Sequence, residues 1–374
     1  MLLFFLFDAV YIVSSQNTPY RRIMSRIISN ESAYDKMTPP WMEGNQMKMF
    51  IVDSFMALIS LEENAQTVTY LTFLNFTWND PRLVWDPEEM GTRAIATDPG
   101  AVFRPVVNMF NCISAKDFKD LMDASPTSIR YDGMVSILMY QTVQTICRIE
   151  VGSFPFDEQW CTLSFISLQA SLEKYTMFSY DKVPVKVGIP EWSVLDTMAF
   201  NGSLRQNGQP YPMAQIIFHL KRNPEFYIYF LILPTFIITS LCIGAMLLPI
   251  NLEVGERINL GIAGLLGLTF LLSVIIGELP RTPGLPLMGK WVIIEMFFCC
   301  GSMLVPMALN MAERFLPRYK RKLPLPVIEA SIFLLVMLAN ILTTVLIFTN
   351  PPKERAPTQM LPVGTMTLEE PQEE

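Results

Sequence analysis

The residues whose types and spacing point to chemistry lie between Leu252 and Pro280, in the stretch LEVGERINLGIAGLLGLTFLLSVIIGELP. Carboxylates flank a charge-free run from Ile258 to Gly277: Glu253 and Glu256 before it, Glu278 after it. The run is long enough to cross a bilayer as a helix. Lipid alone does not require the Asn259, Thr269 and Ser273 inside it, nor Gly261, Gly264 and Gly267. Alternate steps of three and four trace Glu256, Asn259, Ala263, Leu266, Phe270, Ser273 and Gly277 along one helix face. Copies set about an axis with that face inward, and with Glu253 at the same mouth, stack an acid-and-amide ring, two apolar layers and a small polar ring. Carboxylate rings select cations, and apolar constrictions gate by dewetting. A packed core helix of a membrane bundle, with glycines admitting close neighbours, accounts for the same residues. The other faces are equally apolar, so this stretch alone leaves both readings open.

Such a helix needs a membrane and a scaffold, and the chain supplies both. Apolar runs mark four spans, about 226–249, 257–278, 291–312 and 327–349. The third holds Glu295, which is a functional candidate by its depth or reaches the interface beside Trp291. The loop 313–326, ERFLPRYKRKLPLP, is rich in Arg and Lys and is expected to be cytoplasmic. An even number of spans returns the acidic, proline-rich tail 350–374 to the side of the amino-terminal domain, where it is expected to be disordered. The first 16 residues are apolar, too short to span, and read as a secretory leader. Residues 17–222 then face an oxidising exterior, and sequons at Asn30, Asn75 and Asn201 all fall within them. Segments such as VTYLTFLNFTW (68–78) and GMVSILMYQTVQTICRIEV (133–151) carry the β-branched and aromatic residues of strands. Turn signals at 79–81, 98–100, 132–133 and 207–208 punctuate them. The expected architecture is an all-β extracellular sandwich, antiparallel and immunoglobulin-like, followed by an all-α four-helix transmembrane bundle.

Composition narrows the function. With 374 residues there is room for two domains. A net charge of −7 and the lack of a basic, aromatic-interleaved stripe argue against nucleic acid as partner. One histidine, His219, no Cys-x-x-Cys, no phosphate-cradling glycine loop and no nucleophile elbow leave no catalytic kit. No enzyme activity, metal or cofactor is expected. His219 and the Cys299–Cys300 pair read as structural residues.

Cys147 and Cys161 close the segment CRIEVGSFPFDEQWC. In a secreted domain two such cysteines are expected to bond, and a loop of this size gains about 3 kcal/mol in the chain-entropy model. Phe154, Pro155 and Phe156 put apolar rings at its tip, which is expected to dock on something. A cysteine-closed loop enclosing Phe-Pro-Phe-Asp strongly resembles the signature of the Cys-loop pentameric ligand-gated ion channels. Other motifs fall in the family's order. Trp78 to Asp86 is similar to its tryptophan–aspartate–tryptophan stretch, Glu191-Trp192 to its late strand, and Pro210-Tyr211-Pro212 to the end of its agonist-capping loop. Arg222 resembles its coupling arginine and Pro234 its first-span proline, while Gly255-Glu256-Arg257 opens the second span as in the cation-selective, nicotinic-like branch.

The resemblance implies a divergent, invertebrate-type subunit of a neurotransmitter-gated cation channel, in a homo- or heteropentamer whose pore is lined by the second span. A non-conducting or accessory subunit that supplies only an interface is the alternative. The implied setting is the plasma membrane, with both termini extracellular and at a synapse. The implied partners are a small-molecule agonist, sister subunits and the lipid bilayer. Agonist pockets of this branch are aromatic cages that hold an amine by cation–π attraction. By position, Phe110 and Tyr211 match the principal face and Phe73 the ring of the neighbouring subunit, although such rings also suit a sandwich core. Leu168 stands where the cage has its central tryptophan, and the paired cysteines of the capping loop are absent from 201–212. Coupling is implied where Phe154, Pro155, Phe156 and Arg222 meet the linker bearing Pro280 and Arg281. The 313–326 loop is much shorter than is usual in the family.

Overall fold

The computed structural model describes residues 18–28, 34–43, 46–113, 115–180, 183–247, 254–278, 284–315 and 325–349. The expected leader, the Asn30 sequon, Glu253, Pro280, Arg281, most of the basic loop and the tail lie outside them.

Period-two alternation builds the amino-terminal half. Strand β1 (Met47–Glu62) buries Met47, Met49 and Ile51, and β2 (Thr67–Val84) buries Leu74, Phe76 and Trp78. The residues between them turn to the outer face, as a pleated strand requires. Strands β3 (Ala94–Thr97), β4 (Asn108–Met109), β5 (Thr127–Arg130), β6 (Asp132–Ile146), β7 (Glu158–Ile166), β8 (Tyr175–Ser179), β9 (Val185–Val187), β10 (Trp192–Gln206) and β11 (Gln209–Arg222) complete two sheets. One runs β3-β5-β6-β2-β1-β8 with β9 also on β1, and the other β10-β11-β7-β4. The pairing is antiparallel except that β8 and β9 run parallel to β1. Short α-helices flank the sandwich: α1 (Pro19–Ile23), α2 (Pro87–Met90) and α3 (Ala115–Ala124).

The turn signals hold at 132–133 and 207–208. Asn207 and Gly208 adopt φ of 50° and 76° at the β10–β11 hairpin, and Gly133 adopts 82°. Gly133 has a second constraint, since an added Cβ would lie 2.5 Å from the Asp80 carbonyl oxygen. The turn expected at 79–81 does not form, and β2 continues through it with a register irregularity between Asn79 and Val84. Asp80 explains this. Its carboxylate accepts two hydrogen bonds from the Arg82 guanidinium, both at 2.8 Å, and one from the Arg82 backbone N–H at 3.1 Å, so polar residues that usually end a strand satisfy one another within it.

The four apolar helices are α4 (Glu225–Leu247), α5 (Val254–Glu278), α6 (Leu287–Phe315) and α7 (Leu325–Thr349). The third begins earlier than expected, because Leu287 N–H donates to the Gly152 carbonyl at 3.0 Å and so starts the helix against the sandwich. Within α4 a π-helical turn, Ile228–Ile232, precedes Pro234. Proline lacks an N–H and crowds the preceding turn, and a wider turn accommodates it.

Candidate functional site

The junction between sandwich and bundle is organised by Arg222, the last residue of β11, which is 1% exposed. Its guanidinium donates to Asp157 at 2.8 and 3.2 Å, pairs with Glu63 at 2.9 Å, and donates to Glu191. The Trp192, Phe154 and Tyr227 rings lie 4.2, 4.9 and 5.6 Å from it. Burial opposes the charge, but the charge and hydrogen bonds of Asp157, with the charge of Glu63, outweigh it and hold the group more firmly protonated than usual. Burial pushes the Glu63 carboxyl above its ordinary range, and Arg222 only partly offsets this. Gln159 ties the two sides of the Cys147–Cys161 loop together. Its amide oxygen accepts from Glu150 N–H at 3.0 Å, and its nitrogen donates to the Glu150 carbonyl at 2.7 Å and to Asp157 at 2.8 Å. The disulfide itself is formed, as expected.

The loop tip packs into the junction rather than standing in solvent. Phe154 is 2% exposed and sits edge-on to Tyr227 at 4.7 Å, because the buried guanidinium gives its ring a partner inside the junction. Pro155 is also buried, while half-buried Phe156 meets Phe348 near the end of α7 at 5.9 Å. The loop therefore touches α4, α6 and α7. A second contact comes from the β1–β2 turn, where Asn64 donates to the Gly277 carbonyl near the end of α5 at 3.3 Å. Glu63, Asn64 and Gln159 escaped the sequence reading, since nothing local marks a turn or a strand residue as a contact of segments so distant along the chain.

The α5 stripe is exposed along its full length. Glu256, Asn259, Ala263, Leu266, Phe270, Ser273 and Gly277 are all exposed, whereas Arg257, Gly261, Leu268 and Ile275 on the opposite face are buried. An added Cβ on Gly261 would lie 2.2 Å from Met303 of α6, and one on Gly264 2.2 Å from the Cys242 sulfur of α4. Glycines pack one face of the helix, and the stripe lies on the opposite face, away from its own bundle.

Glu295 does not stretch to solvent. It is fully buried, accepting from Asn340 Nδ2 at 2.7 Å and Thr344 Oγ1 at 3.3 Å, both on α7. Polar partners on a facing helix make turning inward cheaper than stretching to water. Cys299 is buried against Cys242 and Leu268, and His219 stacks on Trp160 at 3.9 Å with Glu158 at 2.9 Å.

The suspected ligand residues divide between two faces. Leu168 and Tyr211 lie at one end of the second sheet, where Ile166 pairs with Met213 and Ser167 N–H donates to the Pro212 carbonyl at 3.3 Å. Phe110 follows β4 on the other flank of β7, its N–H donating to the Ser164 carbonyl at 2.7 Å. Phe110 and Leu168 are 53% and 46% exposed, and Tyr211 is half-buried, so none is a core residue. Phe73 lies on the outer face of the first sheet, 5.7 Å from Phe55 and 4.4 Å from Tyr140. Asn75 shares that face and is half-buried, whereas Asn201 is exposed and accepts from Ser179 N–H at 2.7 Å.

A β-sandwich seated on four apolar helices, through a buried arginine and a disulfide-closed loop, defines a multi-pass membrane protein. The family described as neurotransmitter-gated ion-channel ligand binding domain matches residues 20–224. The chain is 30% identical over 312 residues to the neuronal acetylcholine receptor subunit beta-2 of Gallus gallus, covering 80% of this chain and 63% of that one. It is 28% identical over 258 residues to the neuronal acetylcholine receptor subunit alpha-9-I of Oncorhynchus mykiss, covering 65% and 43%. It is 29% identical over 248 residues to the acetylcholine receptor subunit beta-type acr-2 of Caenorhabditis elegans, covering 63% and 41%. The chain belongs to the neurotransmitter-gated ion-channel family, the Cys-loop receptors, and is nicotinic-receptor-like. The family is one of channel subunits rather than enzymes. The chain spans less than two thirds of the length of each of these curated relatives.

Proposed function

We propose that the chain is a subunit of a pentameric, neurotransmitter-gated cation channel of the plasma membrane, with both termini outside the cell. The observation that carries this reading is α5, whose Glu256-to-Gly277 stripe faces away from the helices that pack its glycine face. In a ring of subunits that stripe lines the pore, with Glu253 and Glu256 selecting cations at the inner mouth and Leu266 and Phe270 forming the dry gate. Agonist binds between sandwiches, with Phe110, Leu168 and Tyr211 on one face and Phe73 on the next. The movement reaches the pore through Asn64 against α5 and through the Cys147–Cys161 loop against the other helices, with Pro280 and Arg281 in the linker. Reversal potentials in sodium- and chloride-substituted solutions test this. A reversal that follows sodium and weakens in Glu256→Ala supports it; one that follows chloride overturns it.

A second reading, a partner-dependent or accessory subunit, is favoured by Leu168. An exposed aliphatic side chain has no π face to offer a cation where the resemblance places a tryptophan.

A further inference from the structure

Asp53 breaks the pattern of its strand. The core-facing positions of β1 read Met47, Met49, Ile51, Asp53 and then, after a shift, Met56 and Leu58. Asp53 is 2% exposed. Its register partner is Leu74 and that of Met56 is Thr72, so Ser54 and Phe55 both oppose Phe73 in a β-bulge. The carboxylate sits inside that bulge. One oxygen accepts from Phe55 N–H at 3.3 Å, the Phe73 backbone N–H also donates to the carboxyl, and the second oxygen is buried without a hydrogen-bond partner. The bulge aims Phe55 at Phe73, edge-on at 5.7 Å, and Phe73 rests on Tyr140. It is also where β9 joins the sheet, with Val185 opposite Phe55.

The strands packed on β1 offer this group no counter-charge. On β2, Asp80 and Arg82 pair with each other at 2.8 Å, and the Tyr70 hydroxyl is buried opposite Leu58. On β8, the Tyr175 hydroxyl is directed to the Met49 sulfur at 2.7 Å. On β9, Lys186 pairs with Asp196 of β10 at 3.6 Å. Among the described residues, no ion pair involves Asp53.

We propose that Asp53 is a proton-binding site: its protonated carboxyl holds the β1 bulge, and with it the Phe55–Phe73–Tyr140 rings, in place, and loss of the proton opens them. A neutral acid is tolerated in the core, whereas an ionised one with an unpartnered oxygen is not, and it escapes only by turning out and releasing the bulge. Burial, against the two backbone donors, pushes the group from 3.8 up to about 7. The closed form therefore keeps a proton that the opened form loses. Opening should grow about tenfold per pH unit between about pH 4 and 7 and level off above that.

The test is amide hydrogen exchange of the full chain in membranes, read in peptides covering 50–58 and 70–76 and corrected for intrinsic rates, from pH 5 to pH 8. The wild type should open about fiftyfold more at pH 7 than at pH 5, because the closed form is already half ionised at pH 7. Asp53→Asn and Asp53→Val should lose that slope, and two variants guard against a misfolded one. An unchanged slope in a folded variant overturns the proposal. A second arm rests on the proposed agonist face: in any subunit mixture that conducts, agonist sensitivity should shift between pH 6 and pH 8, and the shift should vanish in Asp53→Asn. If the exchange slope is lost in the variants while agonist sensitivity never depended on pH, the proton site stands and Phe73 is not part of an agonist site.

Discussion

Arg222 keeps its charge at the junction because three carboxylates and three rings replace its water shell. Substituting it leaves Asp157, which is fully buried, uncompensated. Removing one partner of a buried pair costs about 3–5 kcal/mol, far more than the pair's net worth. Arg222→Gln should therefore lower the thermal midpoint and surface expression sharply, with Arg222→Lys in between because an ammonium lacks the bidentate fork. The exposed pair Arg130–Asp132 is the internal control, since water screens it and its loss should barely move the midpoint. A thermal midpoint for Arg222→Gln no lower than that of Arg130→Gln would remove Arg222 from the centre of the junction. Arg222 and Asp157 were legible in the sequence because each sits in a motif. Glu63 and Gln159 were not, because their meaning depends on which loops meet.

Helix α5 carries two chemistries on opposite faces, and each makes a different demand on substitution. Leu266 and Phe270 are 65% and 69% exposed on the isolated chain, so a polar side chain there leaves the bundle unstrained. Leu266→Thr should wet the closed constriction, giving leak current or higher agonist sensitivity at normal expression; unchanged activation would move the gate elsewhere. On Gly264 even a methyl group collides with the Cys242 sulfur. Helix α7 is held differently. Only 6% of its span is buried, against 39% of α4, and among its described residues Asn340 alone is fully buried. Hydrogen bonds between helices in membranes contribute about 0.6–1.7 kcal/mol each, a small sum that matters for a helix burying little else. Glu295→Gln should keep α7 docked, because an amide still accepts from Asn340. Glu295→Leu should loosen it, measured as faster disulfide trapping of cysteines placed on its outer face. Equal trapping in both variants would show that apolar contacts alone hold α7.

At the scale of the whole molecule, the proposed ligand residues divide between the two sheets. Phe73 is on the first sheet and Phe110, Leu168 and Tyr211 are on the second, so in the proposed pentamer they meet across a subunit boundary. Asn75 shares Phe73's outer face, next to Leu138 across the strands. A glycan there would project into that boundary, where a solvated chain does not pack. The expected outcome is that Asn75 stays unmodified despite its sequon, while exposed Asn201 carries sugar, and that the chain conducts best in mixed pentamers because Leu168 weakens its own principal face. Intact-mass analysis and recording from the chain expressed alone check this together. Large agonist currents from the lone chain would defeat the mixed-pentamer expectation, and an occupied Asn75 in that active channel would defeat the orientation given to β2.

Periodicity alone determined most of the architecture. Apolar runs marked the four helices and alternation marked the long strands, because both patterns are local consequences of side-chain direction. The cysteine-closed loop and the order of motifs determined the family. Tertiary structure decided what depends on neighbours. It separated the packing face of α5 from its exposed stripe, turned Phe154 inward onto Arg222, and gave Glu295 partners on α7. It also carried β2 through a stretch whose residues spell a turn, with a register break between Asn79 and Val84, since Arg82 satisfies Asp80 in place. In each case the sequence shows a side chain's capacity, and only the fold shows which group stands within hydrogen-bonding distance or ring contact of it.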